Sequence, residues 1–113
     1  MNQPTQNILF VCSRNKWRSL TAETIFKNHG FYLVKPAGTE DSTRIKINRG
    51  LLLWADLVFV MEQKHLDRLN QRFPNEISTT EVVVLDIPDE YQYMNDDLIE
   101  LLKENTKPFV DLS

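Results

Sequence analysis

Three short runs of consecutive apolar residues punctuate the chain: Ile8–Val11, Leu57–Val60 and Val82–Leu85. Unbroken runs of this length are expected of strands covered on both faces of a parallel sheet. A fourth strand is expected over Phe31–Val34, closed by Pro36 and Gly38. Between the strands the apolar residues change period. Ala22, Ile25, Phe26 and His29 follow helical spacing within Ser19–His29, and Gly30 supplies a stop. Ile47, Leu51, Trp54 and Ala55 form one stripe within Arg44–Ala55, which predicts a second helix despite Gly50. Leu66, Leu69 and Phe73 mark a third, ended by Pro74. Leu98, Leu101 and Leu102 mark the last, Asp96–Glu104, with acids at its positive end.

Strands and helices therefore alternate along the whole chain. That order predicts an α/β fold, a three-layer sandwich with a four-stranded parallel sheet and helices on both faces. In such sheets ligands bind beyond the carboxyl ends of the strands. Cys12 follows the first strand and Asp86 follows the fourth, so both are expected at one edge.

Composition narrows the class. The 113 residues suffice for a single domain, expected over 1–113. With 42% hydrophobic and 26% charged residues, the balance is that of an ordinary globular protein. No apolar run is long enough to span a bilayer, and the first seven residues, MNQPTQN, lack the features of a secretory signal. A cytoplasmic, non-membrane protein is the expectation. The net charge of −3 argues against a general nucleic-acid binder. One cysteine excludes an internal disulfide and a cysteine-based zinc cluster, and neither His29 nor His65 stands at metal-ligand spacing from it. His29 and His65 read as helix-surface or boundary residues.

The chemistry concentrates in ILFVCSRNKWRS, residues 8–19. A strand that runs into a tight loop and then a helix aims backbone N–H groups and a positive helix end at one point, which makes an anion site. Arg18 can hold two oxygens of a tetrahedral oxyanion in its planar fork. The same field favours the thiolate of Cys12 at the base of the loop. Cys12 and Arg18 stand in the spacing C-x5-R, with Ser19 next at the helix entry. The constellation binds phosphate and places a nucleophile beneath it.

This stretch resembles the signature of the low-molecular-weight protein tyrosine phosphatases, C-x-x-N-x-x-R-S after a hydrophobic strand and before a helix with Ala-Glu. Ala37-Gly38-Thr39, Ala55–Met61 and the segment DIPDEY near the C-terminal helix extend the likeness in the right order. The resemblance implies strand order 2-1-3-4 and a phosphatase acting on a phosphotyrosine or a small aryl or alkyl phosphate. It also implies roles. Cys12 would be the nucleophile that forms a phosphocysteine, and Arg18 would clamp the phosphoryl oxygens. Ser19 would hydrogen-bond the thiolate, and Asn15 would hold the loop's shape. Ser13, Arg14, Lys16 and Trp17 would line the substrate site; Tyr91, which follows the acids of the late loop, either stacks on an aryl group or packs within that loop. Phosphate, sulfate or vanadate would occupy the loop; the partner would be a phosphorylated protein or a small-molecule phosphate, and no cofactor or metal is implied. This chain departs from the pattern at Arg14, where the family has Gly, at Trp17, where it has a second cysteine, and at Leu20, where it has Pro.

The general acid is expected from the late acidic loop. Asp86 directly follows the apolar strand, and the sheet edge should fix it near Cys12; Asp89 is the alternative, three residues further out. Three other functions use similar parts. Arsenate reductases need further cysteines, which this chain lacks. A phosphocysteine carrier needs neither the arginine nor the acid, and a phosphate-binding module needs no turnover. Arg14 and Lys16 add positive charge beyond the signature, so either the substrate carries a second anionic group or both point to solvent and only favour the thiolate.

Overall fold

The computed structural model describes residues 6–14, 17–27, 30–41 and 43–110. Asn15, Lys16 and His29 lie outside them. Four strands, β1 (Gln6–Cys12), β2 (Tyr32–Gly38), β3 (Leu57–Val60) and β4 (Glu81–Val84), form one sheet in the order β2-β1-β3-β4. All three pairings are parallel. Five helices connect and flank them: α1 (Trp17–Phe26), α2 (Arg49–Trp54), α3 (Gln63–Arg72), α4 (Pro74–Ser78) and α5 (Asp96–Thr106).

The two-residue period of a strand splits the core in two. Ile8, Phe10 and Cys12 face one side, where Ala22 and Phe26 of α1 and Leu98 and Leu102 of α5 meet them. Leu9 and Val11 face the other, against Leu52 of α2 and Leu69 of α3. The expected three layers are thus observed. Phe10 is central to the first core, its ring centroid 5.2 Å from those of both Phe26 and Phe59. Truncating Phe10 to Ala would cost roughly 3–5 kcal/mol, the usual penalty for a buried aromatic.

Three of the differences from expectation matter for the fold. Strand β2 runs through Pro36 to Gly38 rather than stopping at Val34. It lies at the sheet edge and pairs only with β1, so the missing Pro36 N–H costs no ladder bond. Helix α2 begins only at Arg49, because Asn48 caps it by accepting from the Leu51 amide. Ahead of it, Ile45 and Ile47 exchange backbone hydrogen bonds with Gly38 instead of winding a helix. Pro74 ends α3 as expected but also opens α4 from its first position, where a missing N–H is harmless. Among the described residues no helix is long and apolar enough to cross a membrane.

This topology puts β1 and β3 side by side. The turns that leave their carboxyl ends, one carrying Cys12 and Ser13 and the other Glu62, are therefore neighbours.

Candidate active site

Cys12 is the last residue of β1 and is buried, with its side chain on the α1 side of the sheet. Its Sγ lies 3.1 Å from Ser19 Oγ. Ser19 and Arg18 belong to the first turn of α1, whose free N–H groups and positive dipole end adjoin the thiol. The helix starts two residues before the expected Ser19.

Arg18 is almost fully buried, at 2% exposure. A buried guanidinium must have its charge and donors met. Its Nη1 donates to Glu62 Oε1 at 2.5 Å and to the Ile87 carbonyl at 2.8 Å. Its Nε lies 3.9 Å from Asp89 Oδ1. Burial works to raise the Glu62 carboxyl, but the hydrogen bond and charge of Arg18 outweigh it and hold the group below its ordinary value.

Glu62 precedes α3, and its amide donates to His65 Nδ1 at 3.0 Å. His65 Nε2 lies 2.9 Å from Ser13 Oγ. Since Nδ1 accepts, the single ring proton sits on Nε2 and is donated to Ser13. Burial, and then the nearby Arg18 charge, lower the imidazole from 6.5 to about 4. His65 is thus a buried, neutral residue behind the loop rather than the surface or boundary residue expected from the sequence.

A cleft of about 330 Å³ opens over this group, lined by Cys12, Ser13, Arg14, Trp17, Arg18, Glu40, Lys64 and Asp89. Trp17 stands half-exposed at its mouth. Arg14 is not a spare cation, because its Nε donates to Glu40 Oε2 at 3.0 Å.

Two expectations need correction. Asp86 does not line the cleft; it borders a separate depression with Glu62, Gln63, Lys64 and Pro88. Its backbone adopts φ 57°, and this left-handed turn exposes Asp86 while burying Ile87 beside it. Ile87 is tied to the Met61 carbonyl, and the loop beyond it swings Asp89 over Arg18 instead. Tyr91 also lies elsewhere, packed on the α1–α5 core and lining a groove with Asp97, Glu100, Leu101 and Glu104 of α5. Asn15 and Lys16, both expected in the loop, fall outside the described residues.

The sequence reading missed Glu62, Lys64 and Glu40. A signal existed for Glu62: it stands two residues after β3, the strand expected beside β1 in the order 2-1-3-4. Among the described residues, no group of three or more His, Cys, Asp or Glu could hold a metal ion.

No family model matches the chain. No curated protein matches it significantly either. Solved structures do. The tyrosine phosphatase Wzb from Escherichia coli K30, in complex with phosphate, superposes with a TM-score of 0.73 at 21% identity over 93% of this chain and 96% of that one. SP-PTP, a low-molecular-weight protein tyrosine phosphatase from Streptococcus pyogenes, gives a TM-score of 0.76 at 15% identity over 95% of each chain. The YwlE arginine phosphatase from Geobacillus stearothermophilus gives 0.69 at 21% identity, over 90% of this chain and 86% of that one. The chain has the fold of the low-molecular-weight phosphatases, as the resemblance implied.

Proposed function

We propose that this protein hydrolyses phosphate monoesters through a phosphocysteine formed on Cys12. The observation that carries this reading is the convergence of a thiol, a buried arginine and a carboxylate on one cleft: Cys12, Arg18 and Asp89. The fold shared with tyrosine and arginine phosphatases supports it.

With Nη1 anchored on Glu62 and Ile87, the Nε and Nη2 edge of Arg18 serves the phosphoryl oxygens as a bidentate fork. The Cys12 thiolate attacks phosphorus as the ester P–O bond breaks, and Asp89 gives its proton to the leaving oxygen. Asp89, now a carboxylate, takes a proton from water as that water attacks the phosphocysteine. The P–S bond breaks, phosphate leaves, and Ser19 Oγ stabilises the departing thiolate from 3.1 Å.

Incubation with an aryl phosphate at slightly acidic pH tests the reading. Phenol release that vanadate abolishes, and that Cys12→Ser lacks, is the expected result. A stable stoichiometric phosphoprotein without turnover would show a carrier instead, and neither outcome would leave only a binding module.

A further inference from the structure

Lys64, Arg68 and Arg72 recur at every fourth residue of α3 and so share one face of the helix. All three are exposed. Lys64 lines the cleft over Cys12. Lys64 and Arg68 line a second, smaller recess whose other walls include Ser13 and Glu40, which also border the cleft. Arg72 donates from Nη1 to the Thr39 carbonyl, which fixes the far end of the ridge against the loop after β2.

The nearby acids offset this charge only in part, Asp41 acting on Arg68 and Arg72 as well as on Lys46. Glu40 is paired with Arg14, Asp41 with Lys46, and Glu62 with Arg18. Lys64 reaches Glu62 only at 3.8 Å, and Asp67 accepts from Gln63. On a chain of net charge −3, a run of three cations leaving the cleft is a local reversal of sign. Eight residues of helix separate Lys64 from Arg72, about 12 Å at 1.5 Å per residue. That span is too long for one small bisphosphate. It matches three to four residues of extended peptide, at about 3.3 Å each, whose alternate side chains point the same way.

Resting on the phosphatase reading above, we propose that the substrate is a phosphorylated protein segment carrying acidic residues about two and four positions from the phosphorylated residue, and that Lys64 and Arg68 receive them. A second anionic group is also one expectation from Arg14 and Lys16; here α3 receives it.

Phosphotyrosine peptides of one core, with Glu or Ala at the second and fourth positions on either side, test this. The readout is the ratio of kcat/KM for the acidic and neutral peptides, since it cancels any loss common to both. The same ratio is taken from binding to Cys12→Ser by fluorescence anisotropy. An aryl phosphate assay run alongside reports whether the enzyme turns over at all. The expected preference is roughly 2- to 30-fold at low salt, the range of two exposed ion pairs, and it should collapse near ~0.5 M salt. Arg68→Glu should remove it, and Lys64→Ala should reduce it. Equal ratios beside normal aryl phosphate turnover overturn the ridge alone. A preference that persists in Arg68→Glu and at high salt also overturns it. Acidic-selective binding without any turnover keeps the ridge and overturns the enzyme. Binding of neither peptide overturns the ridge.

Discussion

The His65 ring joins the turn after β1 to the turn after β3: Nε2 meets Ser13 Oγ at 2.9 Å, and Nδ1 accepts the Glu62 amide at 3.0 Å. A second proton on the ring would delete the acceptor at Nδ1 and put a cation near Arg18. Glu62 and Asp89 favour that proton, while burial, Arg18 and Lys64 oppose it, and the opposition wins.

Folding stability should therefore depend on pH through this residue. Its folded value of about 4 lies below the ordinary 6.5, so the unfolded chain binds the extra proton first. The contribution is complete above pH 6.5 and is lost as pH falls toward 4, by at most about 1.4 kcal/mol per pH unit. His65→Gln should flatten that slope in urea titrations between pH 6.5 and 4.5. Below 4.5 both proteins should still lose stability as Glu62, held low in the fold, takes up its proton. Parallel curves for the two proteins above pH 4.5 would refute a neutral buried imidazole. His29 is common to both and cancels in the difference.

Ser19 makes a prediction about timing. On the proposed mechanism its Oγ, 3.1 Å from Cys12 Sγ, would help the sulfur leave more than it helps it attack. A hydrogen bond to a charged group contributes about 1.5–3 kcal/mol, or roughly 10- to 150-fold in rate. Ser19→Ala should slow breakdown of the phosphocysteine by that order, producing a burst of phenol followed by slow turnover. A uniform loss without a burst would place Ser19 in the first step instead.

How much of this was legible in the sequence follows from the kind of signal each feature leaves. The unbroken apolar runs placed β3 to the residue and β4 to within one, although β4 is a partly buried edge strand and β1 begins two residues earlier than its run, at Gln6. Cys12, Arg18 and Ser19 were readable because strand, loop and helix follow in immediate succession, which leaves little freedom for where they point. His65 was not: one histidine at a helical position looks the same whether it meets solvent or Ser13. Asp86 stands away from the cleft for a backbone reason. Its left-handed φ turns the chain at one residue, and aspartate tolerates that conformation without any mark in the local pattern.

Glu62 should matter to binding, although it does not line the cleft. It holds Nη1 of a guanidinium that has almost no access to water. Glu62→Ala should weaken vanadate binding and lower kcat/KM by about 10-fold or more, as a charge-assisted hydrogen bond is lost. Glu62→Gln, which keeps an acceptor, should fall less. Stability should drop in Glu62→Ala by roughly 1–3 kcal/mol, less than for a fully buried pair because the carboxylate is partly solvated. Unchanged vanadate affinity in both variants would mean that Ile87 alone positions the arginine.

The identity of the general acid is the most direct test of the site. Asp89 shares the cleft with Cys12 and stands 3.9 Å from Arg18 Nε, whereas Asp86 opens onto the depression beside Pro88. Only an acid that reaches the leaving oxygen changes how rate depends on that oxygen's basicity. Asp89→Ala should slow esters of poor leaving groups about 10²- to 10⁴-fold, the usual contribution of general acid catalysis, and barely affect those of good ones. Asp86→Ala should leave the leaving-group dependence as it is. Any effect should be on folding, and small: aspartate and alanine both carry a β-carbon at φ 57°, so Asp86→Ala should change stability by less than ~1 kcal/mol, whereas Asp86→Gly, free of that strain, should match or raise it. A steeper leaving-group dependence in Asp86→Ala, with none in Asp89→Ala, would return the proton to Asp86 and require this loop to rearrange when substrate binds.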